Sequence, residues 1–304
     1  MILPKKVMTG SDATGLRNEE VMKQRSKLIF NVHRDIKVEH IVIPHGYTEI
    51  GYEAFSGTID VNDEYGGSST KWVNLVSVEI PDSITVIDSN AFYGCYSLMN
   101  ITIPNNVTRI GSEAFSRCVN LSNINMPSNL VVLEKEAFCR CESLKSIEIP
   151  NGVKIISDGI FYGCKNLRTV KMPDSMAFVG NLAFCNCESL KYIEIPSQAT
   201  SIGWNAFNGC FRLKHITIPN SVTKIDNQAF YNCKKLESVK LSEKLVSIGR
   251  GVFRHCKSLK FIDIPDSVTS IEKFVFDETI TIRCSKSSYA YDYCLDNELR
   301  TIII

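Results

Sequence analysis

Phenylalanine recurs at Phe92, Phe115, Phe138, Phe161, Phe184, Phe207, Phe230, Phe253 and Phe276, each 23 residues after the last. Phe55 belongs to the same series, 37 residues before Phe92, which is one period plus an insertion of 14. A fixed period of this length marks a chain built from stacked copies of one small unit, and it constrains the fold more than any other feature. Other columns keep the phase. Cysteine stands three residues after the aromatic at Cys95, Cys118, Cys141, Cys164, Cys187, Cys210, Cys233 and Cys256. Leucine recurs from Leu75 to Leu259, and proline closes most units, with Ser242 in its place once.

The consensus is I-P-x-x-V-T-x-I-G-x-x-A-F-x-x-C-x-x-L-x-x-I-x. In the L-x-x-I-x-I-P piece, Ile101 and Ile103 alternate with Asn100 and Thr102, which predicts a short strand with one apolar face. A second, less regular β piece is expected at V-T-x-I, for example 107–110. Between them S-x-x-A-F-x-x-C predicts a short turn of helix or 3₁₀-helix. Proline lacks an amide hydrogen, so it suits the end of the strand. One such unit buries too little to stand alone, and stacking makes each column a continuous internal ladder. Strands in register would lie ~4.8 Å apart.

The phrases SITVIDSNAFYGCYSLMNITIP (83–104) and SVTKIDNQAFYNCKKLESVKL (221–241) resemble the BspA-like subgroup of leucine-rich repeats. The resemblance covers about 41–283. It implies a right-handed leucine-rich-repeat solenoid of about ten repeats. One main parallel sheet faces short helical or 3₁₀ turns, with at most a weak second sheet. It also implies protein binding, often as adhesins at a bacterial cell surface or as secreted interaction proteins. The alternative fold is a parallel β-helix, which needs three sheets per coil.

Outside the repeats, 1–40 is expected to be an N-terminal cap, with an amphipathic helix over Asn18–Phe30. The stretch 284–304 is expected to be a C-terminal cap, in which Ser287 or Ser288 caps a short helix and Thr301–Ile304 adds a strand. The insertion near 58–71 places Asp60, Asn62 and Glu64 at calcium-loop spacing. The glycine and glutamate that such a loop needs are replaced by Tyr65 and Lys71, so a solvated loop is expected.

The chemistry of the remaining residues points away from catalysis. The 34 Lys and Arg nearly balance the 33 Asp and Glu, with no basic run, which argues against nucleic acid as a partner. No apolar stretch is long enough to insert in a membrane, and the N-terminus does not read as a signal peptide. The phased cysteines are expected to be free, buried and structural, because their spacing matches no zinc pattern. Off the ladder, Cys139 and Cys185 form C-x-C pairs with Cys141 and Cys187. Cys284 and Cys294 either pair with each other or stay unlinked. The five histidines occur in no metal or nucleophile motif, so no catalytic residue, metal or cofactor is assigned.

The expected contact surface is the polar side of the main strands. One column runs Asn100, Asn123, Ser146, Thr169, Tyr192, His215, Ser238, Phe261; the next runs Thr102, Asn125, Glu148, Lys171, Glu194, Thr217, Lys240, Asp263. Alternating charges such as Glu148, Lys171 and Glu194 suit cross-strand pairing. Tyr192, His215 and Phe261 read as aromatic anchors, with Glu194 and Lys240 beside them, for a protein or peptide ligand. A structural spacer, a self-associating solenoid and, more remotely, a glycan-binding protein are the alternatives.

Overall fold

The computed structural model describes residues 39–57 and 74–304, together with the backbone of the strands Val7–Met8 and Lys27–Leu28. The insertion at 58–71 and most of the helix expected over Asn18–Phe30 lie outside the described residues. Lys27–Leu28 itself is a strand, not helix: it pairs in parallel with Glu49–Ile50, so its amides serve a sheet. The chain divides into two compact units, 1–152 and 153–304.

Each unit is a stack of coils that present the same residues to their neighbours. In the first unit three-residue strands such as His40–Val42, Ser77–Glu79, Asn100–Thr102 and Asn123–Asn125 form the main face. Their register is one repeat per rung: Asn100 faces Asn123, and Ile101 faces Ile124. A second sheet of two-residue strands runs through Glu49–Ile50, Val86–Ile87, Arg109–Ile110 and Val132–Leu133, all parallel. In the second unit the corresponding sheet joins Ser201–Ile202, Lys224–Ile225, Ser247–Ile248 and Ser270–Ile271. The second sheet is thus regular, two residues wide, and begins two residues later than the V-T-x-I phrase suggests. Every pair is parallel because equal coils repeat in one sense, and each coil is its own crossover.

The third side of the coil is not a sheet; of the two turns expected from the sequence it takes the 3₁₀ kind, as i to i+3 turns that do not continue into a helix. Alternate amides close i to i+3 turns, as in Ala114 N–H to Gly111 O and Ser116 N–H to Glu113 O. The amides between them leave the coil altogether. Glu113, Phe115 and Arg117 donate to the carbonyls of Lys135, Ala137 and Cys139 in the next coil, at 3.1, 2.8 and 2.7 Å. An amide spent on the next coil cannot propagate a helix. This geometry sets Glu113 and Arg117 at positive φ (56° and 61°), which costs a non-glycine residue roughly 1–2 kcal/mol. Gly94, Gly163 and Gly209 fill the second of these positions in other coils (φ 67°, 72° and 74°) without that cost. Among the described residues no third sheet forms, which distinguishes these coils from a three-sheet β-helix.

The core is a row of aromatic rings. Phe55, Phe92, Phe115 and Phe138 stack face to face at 5.1–5.6 Å in the first unit. Phe161, Phe184, Phe207, Phe230, Phe253 and Phe276 do so at 5.2–5.9 Å in the second. Such offset pairs add about 0.5–1.5 kcal/mol each beyond simple burial. The cysteine column lies beside the rings and is buried throughout. Seven of the eight thiols reach back one coil within their unit: Cys118, for instance, donates to the Phe92 carbonyl at 3.1 Å, and Cys233 to that of Phe207 at 3.2 Å.

After the last phenylalanine the second unit changes character. The strands Phe261–Asp263, Thr281–Cys284 and Arg300–Ile303 form a parallel sheet, and the helix Tyr289–Asp296 joins the last two. Ser288 caps that helix by accepting the Tyr291 N–H at 3.2 Å, and the helix buries Ala290 and Cys294. Cys284 and Cys294 are both free and buried.

Candidate functional site

On the main face of the second unit the apolar partner of every rung points inward and leaves polar residues outside. Ile216 is 3% exposed, between His215 and Thr217, which are both exposed. Tyr192 (57%) and Phe261 (53%) break this pattern as large rings left in solvent. His215 sits opposite Ser238 in the ladder, and its Nδ1 lies 2.8 Å from the Ser238 hydroxyl. Its other nitrogen is 3.9 Å from Glu237, which also meets Lys214 at 3.3 Å. Lys240 is two residues along from Ser238 in the same strand, opposite Thr217.

Tyr192 and Glu194 are placed differently from expectation. Residues 192–194 do not form a strand, although Ile193 and Ile195 keep the alternation and are buried. The bond that would tie this rung to its neighbour, Lys214 N–H to Lys191 O, is long at 3.4 Å. The corresponding bond from Glu237 to Lys214 is 2.7 Å. The Tyr192 hydroxyl instead donates to Glu194 at 2.6 Å, and this bond raises the phenol above its ordinary pKa. Phe261 belongs to the next sheet, with Thr281 as ladder partner. The five predicted residues therefore share a face in three separately paired groups. Beside them Asp263 holds Arg283 in a two-pronged ion pair.

Burial pushes Cys139 and Cys185 up to about 11, and in the ladder it likewise raises Cys95, Cys187, Cys210 and Cys233, and Cys256 to about 12. Among the described residues no group of three or more His, Cys, Asp or Glu is placed to hold a metal ion. No helix among them is long and apolar enough to cross a membrane.

A feature that the strand columns do not reveal lies on the turn side of the second unit. A cleft of about 290 Å³ is lined there by Trp204, Asn227, Tyr231, Arg250, Arg254 and Phe274, among others. Its residues come from four coils and from turn positions of differing phase. Only the lattice brings them together.

The family model for the BspA type leucine rich repeat region, in six copies, matches residues 67–191 and 178–288. The chain belongs to the BspA-type leucine-rich-repeat family. No curated protein sequence matches it. Among solved structures, the BspA-type chain is similar to the pneumococcal vaccine antigen PcpA at 18% identity, covering 92% of each chain with a TM-score of 0.52. It is also similar to a leucine rich cell surface protein from Faecalibacterium prausnitzii, at 28% identity over 91% of this chain and 89% of that one, TM-score 0.47. A T. pallidum leucine rich repeat protein matches at 25% identity over 84% and 91%, TM-score 0.44. The likeness to PcpA is one of fold.

Proposed function

We propose that this chain is a non-enzymatic protein-binding module, an adhesin or scaffold whose contact surface is the main-sheet face of the second unit. The observation that carries this is the exposure of the Tyr192 and Phe261 rings, 57% and 53%, on a face whose other apolar side chains turn inward. The Phe261 ring stands on a backbone held by ladder bonds, and the Tyr192 hydroxyl is tied to Glu194, so both rings lose less freedom on contact, which is what makes aromatic anchors effective. His215 adds a third ring, and Glu194 and Lys240 supply charges of both signs that favour one partner over another. Membership of the BspA-type family supports a place at a bacterial cell surface. Residues 1–40 and 284–304 serve in this reading as end pieces. The helix Tyr289–Asp296, with Ala290 and Cys294 buried, is suited to closing the stack.

The test is a pull-down of host and bacterial surface proteins, followed by Kd measurement for those retained. Tyr192→Ala, His215→Ala and Phe261→Ala combined should weaken binding by about tenfold or more while the thermal melt stays put. Unchanged affinity in a folded triple variant rejects the assignment of this face.

A second reading, self-association, is favoured by the sheet edge at Arg300–Ile303, where Ile302 and Ile303 are 45% and 53% exposed. A concentration-dependent sedimentation coefficient that Ile302→Lys abolishes would support it.

A further inference from the structure

Arg250 and Arg254 both lean on one aromatic ring. Each guanidinium carbon lies 5.4 Å from the centroid of Phe274, itself 51% exposed. Both arginines are exposed, and among the described residues neither makes an ion pair with a carboxylate. The acidic side chains beside them in the coils are engaged elsewhere: Asp226 holds Lys224 at 2.7 Å, and Asp277 lies 3.8 Å from His255 and accepts its amide at 2.9 Å. Two like charges gathered at one ring repel each other. That repulsion is relieved when an anion sits on their open edges. Stacking on an aromatic face leaves the planar N–H fork of a guanidinium free for a bidentate carboxylate.

The cleft around them is built rather than incidental. The Arg250 amide is held by Asn227 Oδ1 at 2.7 Å, and the Trp204 amide by Asn181 Oδ1 at 2.9 Å. These side-chain bonds between successive coils fix the backbone that carries the cation and the indole. Trp204 is 45% exposed, a second large apolar surface lining the same 290 Å³. Paired cations beside two exposed rings match a carboxylate with an apolar neighbour, as in an acidic segment of a protein.

We propose that this cleft is a second binding site, distinct from the sheet face, for an acidic peptide segment. A Glu or Asp carboxylate engages Arg250 and Arg254, and the adjoining apolar side chain packs on Trp204 and Phe274.

The test uses the full chain and a fluorescein-labelled peptide that alternates glutamate with leucine, against its glutamine counterpart, by fluorescence polarisation. The acidic peptide should bind saturably, and the glutamine peptide about tenfold or more weaker. Arg250→Gln with Arg254→Gln should weaken the acidic peptide by about tenfold or more. Arg250→Lys with Arg254→Lys, which keeps the charge without the fork, should fall between them. Lys257→Gln with Lys260→Gln, the same charge change outside the cleft, should leave binding unchanged, and so should Tyr192→Ala with Phe261→Ala. Equal binding of the two peptides, full affinity in the Arg→Gln pair, or equal loss in the Lys→Gln pair would overturn the proposal. So would capture of a sulfated oligosaccharide by the cleft without the acidic peptide.

Discussion

The thiol of Cys210 donates to the carbonyl oxygen of Phe184, one coil earlier, at 3.2 Å. That carbonyl already accepts the Cys187 amide at 3.1 Å, so the sulfur fills its second lone pair where no water reaches. Seven such bonds recur at 3.0–3.2 Å. The cysteine column is therefore a column of donors as well as small apolar groups. Cys210→Val removes the donor at similar volume and should cost about 1 kcal/mol; Cys210→Ala, which also opens a cavity, should cost about 2 kcal/mol. Urea denaturation of the three proteins under reducing conditions checks the order. A valine variant as stable as the parent would reduce the thiol to a space-filler.

Alkali should unfold this protein early. Burial raises Cys95, Cys187 and Cys233 well above the ordinary thiol range, Cys256 to about 12, and Cys139 and Cys185 to about 11. An unfolded thiol releases its proton near pH ~8.5 while the folded one keeps it, so the native state binds more protons above that pH. Stability then falls by about 1.4 kcal/mol per pH unit for each such thiol, until its folded pKa is reached. The urea midpoint should stay level from pH 7 to 8 and drop steeply between pH 9 and 11. A midpoint at pH 10 equal to that at pH 7 contradicts this.

Gly94→Ala and Gly209→Ala should differ although both replace a glycine at positive φ (67° and 74°). A methyl at Gly94 would stand 2.0 Å from the Gly57 carbonyl oxygen, which is backbone of the preceding coil. At Gly209 it would meet the Asn186 side-chain oxygen at 2.5 Å, which can turn away. We expect about 1–2 kcal/mol lost at Gly209 from the backbone alone. Gly94 should lose about 3 kcal/mol or more. Thermal melts of the two variants decide; equal losses would mean that the coils yield at residue 57.

In the first unit Glu134 gathers Arg109 (2.8 Å to Nη2, 3.0 Å to Nε) and both the amide and the hydroxyl of Ser112 (3.0 and 2.8 Å). Burial works to raise this carboxyl, and the bonds from Ser112 and Arg109 outweigh it, so its pKa is lowered. A carboxyl depressed on folding stabilises above its unfolded pKa of ~4.3, and the contribution fades as pH falls through the folded value. Glu134→Gln should therefore cost about 1 kcal/mol at pH 7 and much less at pH 3. Equal costs at the two pH values would show that the charge is not what matters there.

The inward columns were plain in the sequence because one shape fits each. A ring between rings at 5.2 Å tolerates little but Phe207, and a donor beneath a buried carbonyl tolerates little but Cys210. The turn side was not legible, because what it demands is a backbone angle. Glu113, Arg117, Asn186 and Gln228 all take positive φ with their side chains directed outward, so their identities vary and only the occasional glycine betrays the site. Tyr192 and Glu194 show the opposite failure. The alternation of Ile193 and Ile195 is intact, yet the rung lacks a strand. The cleft was hidden because Trp204, Arg250, Arg254 and Phe274 occupy three different positions of the repeat, so no single column contains it.

The amides of Asn90, Phe92 and Gly94 all reach forward to Ser112, Ala114 and Ser116, and none of these bonds runs back. On the opposite stretch of the same coils the sense reverses, with Thr108 and Gly111 donating back to Thr85 and Ile87, so each coil donates upward on one side and downward on another, like cups that nest in only one orientation. An inverted coil would set donor against donor, so the chain can be lengthened or shortened by whole coils but never by a reversed one. The directionality that holds neighbours together also dictates that the two ends of any stack are chemically unlike and need different closures.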